Sequence, residues 1–390
     1  MMGWHEAKPM RLITLLISLV LILVPLVDAF ETILQPRRVT HRFRFARLFY
    51  RRSWALWRTV ALRLPTGKRR EAFLGIFGPL SLLGLFAAWV GGLIVGFGLL
   101  HWSLRSPVQG GAGLPTYLYL SGGTFFTLAY GDLLPAAPLT RLLGVIEAGL
   151  GFGFLAVIIS YLPVLYQAFS RREATISLLD ARAGSPPTAL EFLLRLARCG
   201  KLDAADSFLA ELERWAAELL ESHLSFPVLS YYRSQHDNQS WLSTLAMTLD
   251  TCALLMTQIK RRDTYQAQLA FAMARHAAVD LGLVLKAPPQ HSTIDRLPPE
   301  QRLLITQSLR DAGIELHDSP AADEKFERMR GVYEPFINAL ATRFLFTLPP
   351  IAPQEPPVDN WQRSAWIPRP PGIGSLPDLA ASEARDKEHF

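Results

Sequence analysis

The chain has 390 residues, half of them hydrophobic, a net charge of +6 and a positive mean hydropathy. That length allows two or more domains, and that apolar content excludes a wholly water-soluble globule, so part of the chain belongs in a membrane. The charge is uneven: twelve of the 40 basic residues lie between Arg37 and Arg70 with no acidic residue among them, leaving 28 basic against 34 acidic residues elsewhere.

Residues 10–27, "MRLITLLISLVLILVPLV", are long enough to cross a hydrocarbon core as a helix. The alternative is a signal peptide with Val27 and Ala29 at the cleavage site. Cleavage there would leave the arginine-rich stretch outside, against the rule that short Lys/Arg-rich loops stay cytoplasmic, so residues 1–36 are expected to be a retained transmembrane segment. The same rule puts the N-terminus outside and the C-terminal half in the cytoplasm of a multi-pass cell-membrane protein.

Residues 37–72 form a basic segment in which Phe43, Tyr50, Trp54 and Trp57 recur at spacings of seven, four and three, one side of a helix. Aromatics on one side and arginines on the rest predict an interfacial helix under anionic lipid headgroups at 37–70. Nucleic acid is not expected as a partner, because a membrane span follows directly and no nucleic-acid fold signature accompanies the charge.

Two further apolar runs, 73–102 and 139–169, flank "SLRSPVQGGAGLPTYLYLSGGTFFTLAYGDLLPAAP". Pro115 suits the first turn of a helix, and 116–126 then extends on the order of 16 Å, about half a hydrocarbon core. Such a helix can only enter and return. The irregular backbone after it, 127–131, has to face protein or water, since lipid cannot hydrogen-bond carbonyls.

Within that segment "TFFTLAYGD" resembles the filter signature T-x-x-T-V-G-Y-G-D of the potassium-channel pore domain, the bacterial two-transmembrane, P-loop type. Thr124, Thr127, Tyr130, Gly131 and Asp132 match, Leu128 stands for valine, and Ala129 replaces the first filter glycine. The resemblance covers about 73–170 and leaves one extra N-terminal span. It implies an all-α membrane protein with an outer helix, a re-entrant pore helix and filter, and an inner helix, assembled as a homotetramer. It implies no cofactor. Potassium would be the permeant ion, held by the backbone carbonyls of Thr127, Leu128, Ala129 and Tyr130 and by the Thr127 hydroxyl. Gly131 and Asp132 would form the mouth, and Thr124, Phe125 and Phe126 would support the filter from the pore helix. Gly122 and Gly123 occupy positions where many members have tryptophans, which passes the bracing to Tyr117, Tyr119, Phe125 and Phe126.

Ala129 would sit where the family needs a left-handed backbone, at about 1–2 kcal/mol for an L-residue. The expectation is a cation channel with weakened potassium selectivity; the alternative is a non-conducting membrane scaffold or signalling protein with a degenerate pore loop. An enzyme is not expected, because the soluble half has no nucleophile with a base, no metal-ligand set and no phosphate loop.

In the third run Glu147 is alone in an apolar stretch, a functional suspect by default. The resemblance places it behind the filter, bonded to filter or pore-helix groups; the alternative is a side chain reaching back to the interface or pairing with Arg141. "GLGFG", with Gly149, Gly151 and Gly153, lacks the preceding strand of a dinucleotide site and reads as a gating hinge, with a constriction near Pro163. No span has the regularly spaced arginines of a voltage sensor.

Residues 171–347 show helical periodicity without alternating strands and predict a helical cytoplasmic domain. In "SYYRSQHDNQSW", Arg233, His236 and Asp237 could bind a ligand, or Asp237 or Asn238 could cap the next helix. Cys199 and Cys252 are expected to be buried free thiols. The proline-rich stretch 348–390 predicts an extended or disordered tail.

Overall fold

The computed structural model describes residues 7–34, 44–236, 238–291 and 295–353. The chain divides into two compact units, Met1–Tyr166 and Gln167–Phe390.

In the first unit α1 (Ala7–Ala29) ends in a π-helical turn, Phe30–Leu34, and is followed by α2 (Phe45–Ala61) and α3 (Lys68–Ser103). A short helix α4 (Leu114–Phe125) and the long α5 (Pro138–Ala183) complete it. Among the described residues three helical stretches are long and apolar enough to cross a membrane: Met10–Ile33, Lys68–Ser103 and Pro138–Ala183. α1 lies along α3, and two glycines allow the approach. A Cβ on Gly92 would come within 3.1 Å of Pro25 Cγ, and one on Gly96 within 2.8 Å of Ile22 Cγ1. Small residues at this spacing let membrane helices pack backbone to backbone.

A buried carboxylate ties α1, α2 and α3 together. Asp28 is 3% exposed, and its Oδ2 accepts the Trp89 indole N–H at 2.9 Å and the Ala46 backbone N–H at 2.8 Å. It thereby satisfies one of the donors that the first turn of α2 cannot pair within the helix. Beside it Arg44 reaches Glu31 at 3.5 Å and donates to Thr32 Oγ1 at 3.0 Å. Trp89 carries the contact onward, edge-on to Phe154 of α5 at 6.0 Å.

The aromatic side of α2 is turned toward α3. Trp57 stacks on Phe73 at 4.4 Å, and Trp54, 5% exposed, meets Phe77 at 4.8 Å. The outward side presents Arg47, Arg51, Arg52 and Leu56. The expected periodicity is present, but α3 takes the two tryptophans that the sequence assigns to the lipid interface. Phe43 lies outside the described residues.

α5 is unbroken through 149–153 and Pro163. Its most apolar window is 17% buried, against 44% for that of α3, so most of its side-chain surface is left for lipid, water or other chains.

The second unit begins with the end of α5 and contains α6 (Ala189–Arg198), α7 (Ala205–Ser225), α8 (Trp241–Thr257), α9 (Tyr265–Val284), α10 (Pro299–Asp311), α11 (Pro320–Gly331) and α12 (Glu334–Phe344). Every residue of α8 except Met256 is buried. Its one charged residue, Asp250, accepts from Arg296 Nη2 at 2.5 Å and from the Tyr333 hydroxyl at 2.6 Å. Ser240, not Asn238, caps α8, its hydroxyl accepting from Ser243 N at 3.0 Å. Arg233 donates to the Phe344 carbonyl at the end of α12 and lies 3.9 Å over the Phe346 ring, a structural role. Asp237 lies outside the described residues. Cys252 is buried, but Cys199, at the C-terminal end of α6, is exposed, contrary to expectation. The proline-rich stretch starts as packed chain: Ile351 and Ala352 are fully buried, Arg296 Nε donates to the Pro349 carbonyl at 2.9 Å, and Leu190 N donates to that of Ile351 at 3.3 Å.

Arg172, 3% exposed, anchors the last part of α5 to α7 and the turn after it. It donates to the Leu229 carbonyl at 3.0 Å, the Tyr232 carbonyl at 3.1 Å and Glu173 Oε1 at 3.0 Å. Its Nη1 is 3.4 Å from His223 Nε2, while His223 Nδ1 is 2.8 Å from the Leu219 carbonyl. The imidazole is therefore a donor on one side and an acceptor on the other, which is its neutral form. Burial first, and the Arg172 charge second, push His223 from 6.5 down to about 3.

Replacing Asp28 by Ala leaves the Trp89 and Ala46 donors unpaired and is expected to cost about 2–4 kcal/mol, with Asp28→Asn milder because its amide oxygen still accepts. Thermal unfolding in detergent checks the order. For His223 the folded value lies below the unfolded one, so its stabilisation is complete above about pH 6.5 and is lost as the pH falls toward 3. The slope approaches about 1.4 kcal/mol per pH unit, and His223→Gln should flatten it in denaturant titrations of the full chain.

Candidate pore loop

α4 follows a glycine-rich turn in which Gly113 has φ +97°, and Pro115 occupies its first turn. Its 12 residues span about 18 Å, too short to cross a bilayer. The helix unwinds through three bonds: Phe126 N to Gly122 O at 3.1 Å, Thr127 N to Thr124 O at 3.1 Å and Leu128 N to Gly123 O at 2.8 Å.

Beyond that point the backbone alternates in hand. Thr127 has φ +53°, Ala129 φ +53° and Gly131 φ +78°, while Leu128 and Tyr130 between them do not take positive φ. Glycine does this freely, but a β-branched threonine and an alanine are rare there, at about 1–2 kcal/mol each. The alanine thus keeps the left-handed conformation that its replacement of glycine puts in question. Such alternation can bring successive carbonyls to one side of an extended chain, the arrangement that replaces a cation's hydration shell. Side chains along the stretch are bare in the single chain: Phe126 is 56% exposed, Leu128 46% and Tyr130 69%.

The far end of the loop is clasped from outside. β1 (Val108–Gln109) pairs antiparallel with β2 (Leu134–Pro135), and Ala136 N donates to the Pro107 carbonyl at 2.9 Å. Gly110, φ +103°, passes so near that a Cβ would lie 2.2 Å from the Asp132 carbonyl oxygen. The Tyr119 phenol on α4 faces Asp132.

Behind α4 is a buried polar cluster. Glu147, fully buried, meets the Ser121 hydroxyl of α4, and its Oε2 is 3.9 Å from Nε2 of His101 on α3. Ser121 Oγ is also 2.8 Å from the Ile94 carbonyl oxygen. His101 Nδ1 is 2.9 Å from Ser106 Oγ, and the Tyr117 hydroxyl donates to the Ser106 carbonyl at 2.9 Å. Arg141 turns elsewhere, donating to the Pro135 carbonyl at 3.1 Å. Sequence reading singles out Glu147 but none of its partners. His101 is the one titratable side chain in its apolar run, the signal that could have found it.

Gly151 marks the contact between α5 and α4. A Cβ there would lie 2.1 Å from the Phe125 carbonyl oxygen, whereas one on Gly149 or Gly153 would meet nothing within 4 Å. Among the described residues no group of three or more His, Cys, Asp or Glu is placed to hold a metal ion.

These elements define a mostly helical membrane protein whose second and third apolar helices enclose a half-span helix and an irregular loop. Residues 83–167, most of that arrangement, match the Ion_trans_2 family, described as an ion channel. No curated protein and no solved structure matches the chain.

The glycine contacts give a separable prediction. Gly151→Ala forces α5 and the end of α4 apart and should destabilise the protein by about 1–3 kcal/mol. Gly149→Ala should change thermal stability little.

Proposed function

We propose that the chain forms a homotetrameric cation channel that passes potassium ions through a ring of backbone carbonyls from Thr127, Leu128, Ala129 and Tyr130. The observation that carries this reading is the alternating hand at Thr127, Ala129 and Gly131, directly after a helix too short to span. Irregular backbone at membrane depth persists only against protein or water, and one loop supplies a fraction of a ring, so a symmetric assembly around a water-filled axis meets the requirement. The ion-channel match over 83–167 and the uncovered surface of α5 support it.

In this reading the N-terminus is outside, the loop before α3 and the second unit are cytoplasmic, and the outward arginines of α2 face anionic headgroups. α4 directs the negative end of its dipole at the permeating cation, and Asp132 adds charge at the mouth. Bending at 149–153 and a constriction near Pro163 would open and close the path. Because Gly151 also seats α4, motion there would reach the loop.

Ala129 tunes the outcome. A methyl group at a left-handed position favours peptide rotations that take one carbonyl ring out of line, which weakens discrimination between potassium and sodium. The test is a planar bilayer with potassium on one side and sodium on the other. The wild type should show a reversal potential short of the potassium limit, and Ala129→Gly should move it toward that limit. Silence from confirmed tetramers would overturn the channel reading; an unmoved reversal potential in Ala129→Gly would overturn the role given to the alanine.

A further inference from the structure

The cluster behind α4 contains few enough protons to be counted. Ser121 Oγ lies 2.8 Å from the Ile94 carbonyl oxygen and also meets Glu147 Oε1. A carbonyl oxygen only accepts, and a hydroxyl has one proton to give. When that proton goes to Ile94, the glutamate oxygen facing Ser121 has to supply its own. The competing arrangements leave Glu147 charged, either beside a neutral His101, where the buried carboxylate has no counter-ion, or against a charged one. Glu147 and His101 are 0% and 1% exposed, their nearest atoms are 3.9 Å apart, beyond hydrogen-bond distance, and Glu147 Oε2 has no hydrogen-bond partner among the described residues. A buried ion pair offsets its desolvation only with close geometry and satisfied lone pairs, and this one would have neither. A neutral acid leaves only a carbonyl-type oxygen at that position.

We infer that Glu147 is a neutral carboxylic acid that donates to Ser121, which donates to the Ile94 carbonyl, and that His101 is the neutral tautomer with its proton on Nε2. His101 Nδ1 then accepts from the Ser106 hydroxyl, and the Tyr117 ring lies parallel to the imidazole at 6.4 Å. The titratable groups that face the cluster are His101 from α3, Tyr117 from α4 and Glu147 from α5, with Ser106 from the following loop. One directed chain of neutral hydrogen bonds joins α5, α4 and α3. Ser121 and His101 become positioning residues for α4, and no net charge stands behind the loop. The inference does not depend on whether ions pass.

Infrared difference spectroscopy of the full-length protein in lipid bilayers at pH 7, wild type minus E147Q, tests it. The expected result is the carbonyl stretch of a protonated carboxylic acid in the wild type, lost in E147Q and retained in H101Q. E147Q, whose amide N–H replaces the acid donor, should melt within about 2 °C of wild type, while E147A should fall by about 5 °C or more. A wild-type spectrum without the acid band, with the band appearing only in H101Q, would establish the ion pair and overturn the inference. So would E147Q as damaging as E147A. If E147Q does not fold, glutamate labelled at the side-chain carboxyl carbon in the wild type decides through the label-dependent shift of the acid band.

Discussion

Peptide groups that belong to neither helix nor sheet cannot be left to lipid, and the first unit is organised around that constraint. From Phe126 to Leu133 the chain has no regular ladder, yet it sits between helices apolar enough to cross a membrane. Everything near it acts as a support. The β1–β2 clasp and Gly110 hold its exit, Gly151 brings α5 against the end of α4, and Ser121 anchors α4 to α3 and α5. The left-handed Thr127 and Ala129 show how strongly the surroundings determine this stretch, because neither residue adopts that conformation for its own sake.

What the sequence discloses is what depends on one dimension. Run length finds the three spans, the half-length of 116–126 finds a helix that cannot cross, and Pro115 marks its start. The five matching positions of the nine-residue signature, Thr124, Thr127, Tyr130, Gly131 and Asp132, locate the candidate site. What it hides is what covers a face and who partners a charge. The spacing of Tyr50, Trp54 and Trp57 gives a side of α2 but not its neighbour, and α3 takes the place assigned to lipid. Glu147 stands out alone, but its partners Ser121 and His101 are 26 and 46 residues away. Asp28 is hidden more deeply, since at the end of an apolar run it reads as a boundary residue. α10 and α11 bury so few side chains, Gln301, Ile305 and Leu309 on one and Phe326 and Arg330 on the other, that their periodicity is faint.

Buried charges mark the junctions in both units. Asp28 joins three helices of the first, Arg172 fixes the last part of α5 within the second, and Asp250 gathers Arg296 and Tyr333 around α8. Asp28 is met by a backbone N–H and an indole N–H, Arg172 by two backbone carbonyls and Glu173, and Asp250 by Arg296 and a phenol. Geometry of this kind gives direction and register, which apolar contact alone does not.

α8 has a consequence of another sort. A helix enclosed on every side has no outer surface of its own, and neighbouring helices from before and after it in the chain form the wall. Such a body does not grow or shrink by one layer, as a stacked helical array does, because removing any wall segment exposes the centre. The second unit should therefore unfold as a single cooperative body, its centre and its wall lost together.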